Sequence, residues 1–408
     1  MRIVIGTLAL DGPGGTESYC LTVARELDRL GHEVTLFADA PGRLAERAAA
    51  GGFRIAWSEG ELPSDCDGVL ANDAITAAVL AERYTAARVV YCFHSPVFDV
   101  QLPPLEPGVI DAVVVPSERF AARARALALD VPLIRLTQPI DVARFAPSDP
   151  PRSPPRTAVM LGNYLDGRRR DALVETWAAA GVDCLQVGAG GELAYDVRRD
   201  IAAADIVVGK ARAALEGMAC GKAVYVFDTW GGDGWVTSDS YAALEADNFA
   251  GLATGRPLDR VQMAADLDRY DPDMGWINRE LVVTHHAAGA HVSELVEVLR
   301  GPAPRRPDSL AGPAASARLA RAAWRAECRA VEAEREASAL RQELGELAVH
   351  AGAHARALAA DRDAWQARAR EAERQAGDAR GVLATRRVRA GLALGRCLDR
   401  LLALPRRR

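Results

Sequence analysis

Glycine-bearing signals recur in both halves of this chain, each set among alternating apolar and helical runs, and they constrain its fold more than any other feature. The first follows an opening strand, Arg2-Ile3-Val4-Ile5-Gly6, and reads Gly12-Pro13-Gly14-Gly15-Thr16-Glu17-Ser18. An amphipathic run over 19–30 comes next, then Gly31-His32-Glu33 and a second apolar strand over 34–38. The second signal, Ala214-Leu215-Glu216-Gly217-Met218-Ala219-Cys220-Gly221-Lys222, precedes an apolar strand over 223–227. Glycines let backbone N–H groups approach an anion closely, and a helix that follows adds its positive N-terminal end. A chain with such a site in each half is expected to hold one ligand in the cleft between them.

At 408 residues the chain is long enough for two or three domains. Strand-like runs are expected at 2–6, 33–38, 53–57, 67–71, 88–93, 112–116 and 133–137, with helical runs such as 16–30, 73–84 and 117–128 between them. This alternation predicts βαβ units and a mainly parallel sheet over residues 1–146. A linker follows at 147–156, with five prolines within nine residues, 147–155. A second alternating series occupies 157–300, with strands at 157–162, 184–188, 205–208 and 223–228 and a helical run over 277–299. The fold class is therefore α/β, two Rossmann-like domains facing across a cleft.

The formal charge of −5 argues for neither nucleic acid nor membrane. Seven scattered cysteines with no C-x-x-C pair indicate neither a zinc site nor a disulfide framework. No signal peptide and no stretch of about 18 apolar residues is found, so a cytoplasmic location is expected. Asp-x-Asp triplets at 65–67, 266–268, 271–273 and 361–363 do not sit cleanly at strand ends, so no metal and no other cofactor is expected.

A linker at 301–316, opening on Gly301-Pro302-Ala303-Pro304, separates these halves from an Ala/Arg/Glu-rich tail over 317–408. Within 317–365 a 3,4-spaced seam runs through Leu319, Leu340, Leu344, Leu347, Leu358 and Trp365. Two readings stand, a self-associating coiled coil and a long, partly frayed helix. Residues 381–408 carry eight arginines against one acid, Asp399. Leucines among these arginines suit an anionic membrane surface, or equally a solvated or partner-bound helix end.

The two halves resemble the GT-B glycosyltransferases, most closely glycosyltransferase family 4, over residues 1–300. The resemblance rests on Gly14-Gly15-Thr16-Glu17, on Val113-Val114-Val115-Pro116-Ser117, on Pro139-Ile140-Asp141-Val142-Ala143-Arg144-Phe145, and on Glu216 with the Met-Ala-Cys-Gly that follows it. It implies that Gly14 and Gly15 face the donor diphosphate and that Glu216, as the final Glu of an E-x7-E motif, binds the nucleotide ribose. A carboxylate suits vicinal hydroxyls, since it accepts from both. The motif's first Glu is missing: Val208 stands there, followed by Gly209-Lys210-Ala211-Arg212. Lys210 and Arg212 are then candidates to neutralise the departing diphosphate. Either Arg168 or Arg169 matches the family's first phosphate-binding cation. His94 matches its strand-end histidine beside the donor sugar, whereas His285, His286 and His291 read as structural. Gly231, Gly232 and Asp233, within Trp230-Gly231-Gly232-Asp233-Gly234-Trp235, match a glycine loop that contacts the donor.

The expected activity is a metal-independent transfer of a sugar from a UDP- or GDP-type donor to a glycan or lipid-linked acceptor, with retention implied by the resemblance. Two rivals remain. A nucleotide-sugar epimerase needs acid/base carboxylates that cannot be picked out here. A degenerate scaffold, binding nucleotide and acting through its tail, is favoured by Val208 and opposed by Glu216.

Overall fold

β-Branched residues dominate the opening run, and in the structure, a computed structural model, they form β1 (Arg2–Ala9), buried along nearly its whole length. The structure describes residues 1–40, 42–147, 150–162, 165, 167–188, 195–228, 231–256, 258–302, 306–307 and 309–384. Around β1 lie β2 (Glu33–Ala40), β3 (Arg54–Ala56), β4 (Gly68–Ala71), β5 (Arg88–Cys92), β6 (Ala112–Val115) and β7 (Leu133–Arg135). All pair in parallel, in the order β3-β2-β1-β4-β5-β6-β7. Parallel strands must be covered on both faces, which is why they read as continuous apolar runs. α1 (Gly15–Arg29), α2 (Arg43–Ala50), α3 (Ala74–Arg83) and α4 (Glu118–Arg125) connect them.

The second sheet contains β8 (Thr157–Leu161), β9 (Asp183–Val187), β10 (Ile206–Gly209), β11 (Ala223–Asp228) and β12 (Gly231–Trp235), in the order β12-β11-β10-β8-β9. β12 is antiparallel to β11 and the rest are parallel. Its helices are α5 (Gly167–Ala179), α6 (Arg198–Ala203), α7 (Arg212–Ala219), α8 (Tyr241–Ala246), α9 (Arg260–Leu267) and α10 (Met274–His285). In each sheet the strand order reverses once, between β1 and β4 and between β8 and β10. Crevices for ligands open outside the carboxyl ends of strands at such reversals.

Four expectations need correction. The second glycine signal is no anion loop. Gly217 lies inside α7, where a side-chain carbon would come within 2.7 Å of Val207 Cβ on β10, and Gly221, at φ +71°, ends the helix turn. Both glycines serve helix–sheet packing. The helical run 277–299 is two helices, α10 and α11 (Ala288–Leu299), and α11 belongs to the first core: Val292, Leu295, Val296 and Leu299 pack with Leu21, Ala24 and Leu27 of α1. The stretch after Trp230, itself outside the described residues, is the strand β12 rather than a loop.

The fourth concerns the tail. Helix α12 (Ala311–Ala384) begins against the first domain, because Leu310, Ala314 and Ala317 are buried and Arg321 lies over the Phe37 ring at 4.4 Å. Arg318 bonds both Glu59 (2.7 Å) and Glu82 (2.6 Å). Just before it, buried Arg306 pairs with Asp111 at 2.9 Å and Arg88 donates to Pro302 O at 2.8 Å. The described residues 301–302, 306–307 and 310–321 thus strap the first domain, and the chain divides into the units Met1–Arg325 and Ala326–Arg408. Within the second unit Leu340, Leu344, Leu358 and Trp365 of the apolar seam are exposed. The basic end, 385–408, lies outside the described residues. No described helix is long and apolar enough to cross a membrane.

Candidate active site at the domain junction

The chain leaves β1 through Gly12-Pro13-Gly14 and enters α1 at Gly15. Gly14 caps that helix in an extended conformation and, as a glycine, offers no side chain of its own to the first-turn amides. These donors and the helix dipole make the turn a ready anion site. The Glu17 carboxylate folds back over Gly14. Burial, opposed by its own backbone N–H and reinforced by Asp11, pushes the Glu17 pKa up to about 7.

At the carboxyl end of the neighbouring strand β4, buried Asn72 donates from Nδ2 to Gly6 O at 2.9 Å. Its Oδ1 lies 2.7 Å from Nε2 of half-buried His94, which follows β5. Tyr19 of α1 sets its ring edge-on to His94 at 4.6 Å, and its hydroxyl lies 3.1 Å from His291 Nε2. Burial, with His291 and Arg212 nearby, pushes the His94 pKa down to about 3.

Across the junction, Lys210 follows the last residue of β10, and its Nζ bonds Asp228 Oδ2 at the end of β11 at 2.6 Å. Ala211 sits at φ +48°, an uncommon conformation for a residue with a side chain, held by its N–H bond to Phe249 O (2.9 Å). Arg212 is buried: Nε bonds Glu216 Oε1 at 2.8 Å, Nη1 bonds Pro139 O at 3.0 Å, and Nη2 bonds Thr22 Oγ1 of α1 at 2.7 Å. Burial raises the Glu216 pKa, and the Arg212 charge opposes that rise. Arg198 holds Asp196 at 2.8 Å and pulls its carboxyl down to about 2, with Arg144 3.6 Å away. Half-buried Arg25 of α1 carries no hydrogen bond or ion pair among the described residues.

The structure therefore gathers His94, Arg212 and Glu216 where α1 meets α7, with Gly14 and Gly15 at the head of the same α1. Lys210 stands at the strand reversal of the second sheet, and exposed Arg168 and Arg169 open α5 beside β8, the other strand of that reversal. Gly231, Gly232 and Asp233 are engaged elsewhere. A side chain at Gly231 would strike Gly251 O, and Asp233 accepts from Thr254 N and Oγ1, both at 2.8 Å, and from Ala253 N at 3.2 Å. In this conformation Asp233 clamps the 253–254 loop. Val208, at the spacing of the first motif Glu, is fully buried in β10.

His286 and His291 are structural ties: each Nδ1 faces a backbone carbonyl, Gln138 O at 2.9 Å and Thr137 O at 2.8 Å. Sequence reasoning missed Asn72, Tyr19, Thr22 and Asp228. Only Asn72 and Asp228 carried a signal, as polar residues at the carboxyl ends of apolar strands. Among the described residues no group of three or more His, Cys, Asp or Glu side chains is placed to hold a metal ion.

No family model and no curated protein matches the chain. Solved structures do. HepE of Anabaena, in complex with UDP and glucose, is similar over 74% of this chain and 100% of its own, at 13% identity and a TM-score of 0.53. A glycosyltransferase from Rickettsia africae is similar over 73% of this chain and 97% of its own, at 16% identity and a TM-score of 0.51. Two parallel-sheet α/β domains in this arrangement define the GT-B architecture, and this chain has it.

Proposed function

We propose that this chain is a glycosyltransferase that moves a hexose from a UDP- or GDP-linked donor to a glycan, lipid-linked or other acceptor on the first domain. On this reading transfer proceeds with retention and without a metal. The observation that carries the proposal is the placement of Glu216, a carboxylate held at the junction by an arginine that also bonds the opposite domain. There it accepts from the ribose diol. The diphosphate lies along the first turn of α1, over Gly14 and Gly15, with Lys210 and Arg168 or Arg169 across from it. Charge that grows on the leaving diphosphate is met by donors already in place. His94 faces the sugar. HepE, which shares the fold, was solved with UDP and glucose, in keeping with this assignment. Titration calorimetry with UDP and with GDP tests the binding step, and release of the nucleoside diphosphate from a panel of sugar donors tests the chemistry. A protein that binds neither nucleotide sinks the proposal.

A second reading is favoured by Val208, apolar and buried where the resemblance calls for a carboxylate, and by Asp228, which already neutralises Lys210. On it the chain binds nucleotide without turnover and works through its tail. Nucleotide affinity with no donor cleavage distinguishes it. For the tail itself we propose self-association through the seam of 317–365 and contact of 385–408 with an anionic membrane at the cytoplasmic face. Flotation with anionic vesicles at low and high salt tests that contact, which salt should weaken.

A further inference from the structure

We propose that Asn72 is a positioning residue that holds His94 in the tautomer protonated at Nε2, so that a bare Nδ1 accepts a hydrogen bond from a hydroxyl of the bound sugar. The inference rests on the junction being a nucleotide-sugar site, and its test is separable from that reading.

The assignment follows from what each atom is able to do. Gly6 O accepts and never donates, so the Asn72 side-chain atom 2.9 Å from it is the amide nitrogen. The same carbonyl also receives the Asn72 backbone N–H at 3.0 Å, which fixes this residue to β1 twice over. With the amide nitrogen committed, Asn72 turns its carbonyl oxygen to His94 Nε2 at 2.7 Å, and an amide oxygen bonds only to a nitrogen that carries a proton. In a neutral imidazole the other nitrogen is then bare. Nothing among the described residues bonds to it.

The ring plane is held as well. Tyr19 packs edge-on to His94, and His291 holds the Tyr19 hydroxyl. His291 in turn must donate from Nδ1 to Thr137 O at 2.8 Å, which leaves its Nε2 free to accept from Tyr19. His94 is thus fixed in protonation and in orientation by neighbours that are themselves buried. Because burial keeps the ring neutral, with its pKa down near 3, His94 works as a hydrogen-bond acceptor and not as a proton carrier at physiological pH. A sugar with a hydroxyl at that place gains a partner, and the matching deoxy sugar leaves a lone pair unanswered.

Nitrogen-15 labelling of histidine in the full-length protein reads the tautomer directly. His94 should be protonated at Nε2 in the parent protein and shift toward a mixture in Asn72→Ala. A parent His94 protonated at Nδ1, or an Asn72→Ala tautomer identical to the parent's, overturns the inference whether or not any donor is turned over. The functional arm is a double-mutant cycle on kcat/KM for whichever sugar donor the protein uses. Asparagine at 94 keeps an acceptor near the Nδ1 position yet cannot reach Asn72, whereas glutamine keeps the contact to Asn72 and has no such acceptor. His94→Asn should therefore outperform His94→Gln. Asn72→Ala should cost about tenfold in the parent, of the size of one hydrogen bond to a neutral group, and little when added to His94→Asn. Equal losses in both backgrounds would mean that Asn72 only supports the fold. Absence of turnover with every donor defeats the proposed function, while the tautomer measurement still decides the lock.

Discussion

At Glu216 two demands meet. Its carboxylate anchors the buried Arg212 guanidinium and, on the proposed function, also receives the ribose. Glu216→Ala should weaken UDP or GDP binding by about tenfold to a hundredfold, the range of a lost charge-assisted hydrogen bond of roughly 1.5–3 kcal/mol. It should also lower stability, because Arg212 keeps Thr22 and Pro139 O but loses its counter-charge. Calorimetry and a melting curve on one preparation check both, and unchanged affinity removes Glu216 from the nucleotide site. Glu17 gives a pH signature. Its folded pKa is raised from an ordinary carboxyl value of 4.5 to about 7. The stability tied to its protonated form is thus fully present below about pH 4.5 and is lost as pH rises through 7. Glu17→Gln, which keeps the neutral shape, should match the parent near pH 4.5 and exceed it by roughly 3 kcal/mol at pH 8. Urea unfolding of both proteins across that interval shows it, and a difference independent of pH refutes the raised pKa.

Among the elements, α12 carries the clearest consequence. Its first turns bury Leu310, Ala314 and Ala317 and tie Arg318 to Glu59 and Glu82 on the first domain. A protein ending at Arg325 should melt within a degree or two of the full chain, since exposed helix contributes little to a packed core. One ending at Pro307 should lose about 3 kcal/mol through the apolar surface uncovered on the sheet. Equal melting points for the two truncations would mean that the strap is ornamental. α7 shows how an element hides its purpose: its central glycine resembles a ligand loop in the sequence and is spent on contact with Val207.

For the whole molecule the junction is the organising fact. α11 returns from the second half to pack on α1, and the backbone of Ile140 bonds with His286 O (2.7 Å) and Ala288 N (2.9 Å), so the polypeptide crosses twice at one hinge. The tail's role is decided by mass. If the seam through Leu340, Leu344 and Leu358 associates, light scattering should give a multiple of 43.6 kDa for the full chain and a monomer for the form ending at Arg325. Monomers in both cases dismiss the coiled coil.

What the sequence determined by itself was local: strand runs long enough to be buried on both faces, the alternation that makes parallel sheets, the proline break at 147–155, and the glycine turn that starts α1. Such features depend on neighbours within a few residues, so periodicity and composition reveal them. Glu216 and His94 were visible only as matches to a pattern. Asn72, Tyr19 and Thr22, which hold His94 and Arg212, were not. Arg212 lies 190 residues from Thr22, and His291 lies 272 residues from Tyr19. Contacts at that separation leave no periodic trace, since what selects them is the shape and desolvation of the assembled junction. The tertiary structure alone decided that Gly217 packs a helix, that Asp233 clamps a loop, that α11 and the first turns of α12 belong to the first domain, and that an asparagine at the end of β4 dictates which nitrogen of His94 is free. Packing decides these points, because a buried polar atom must find its partner wherever the chain brings one.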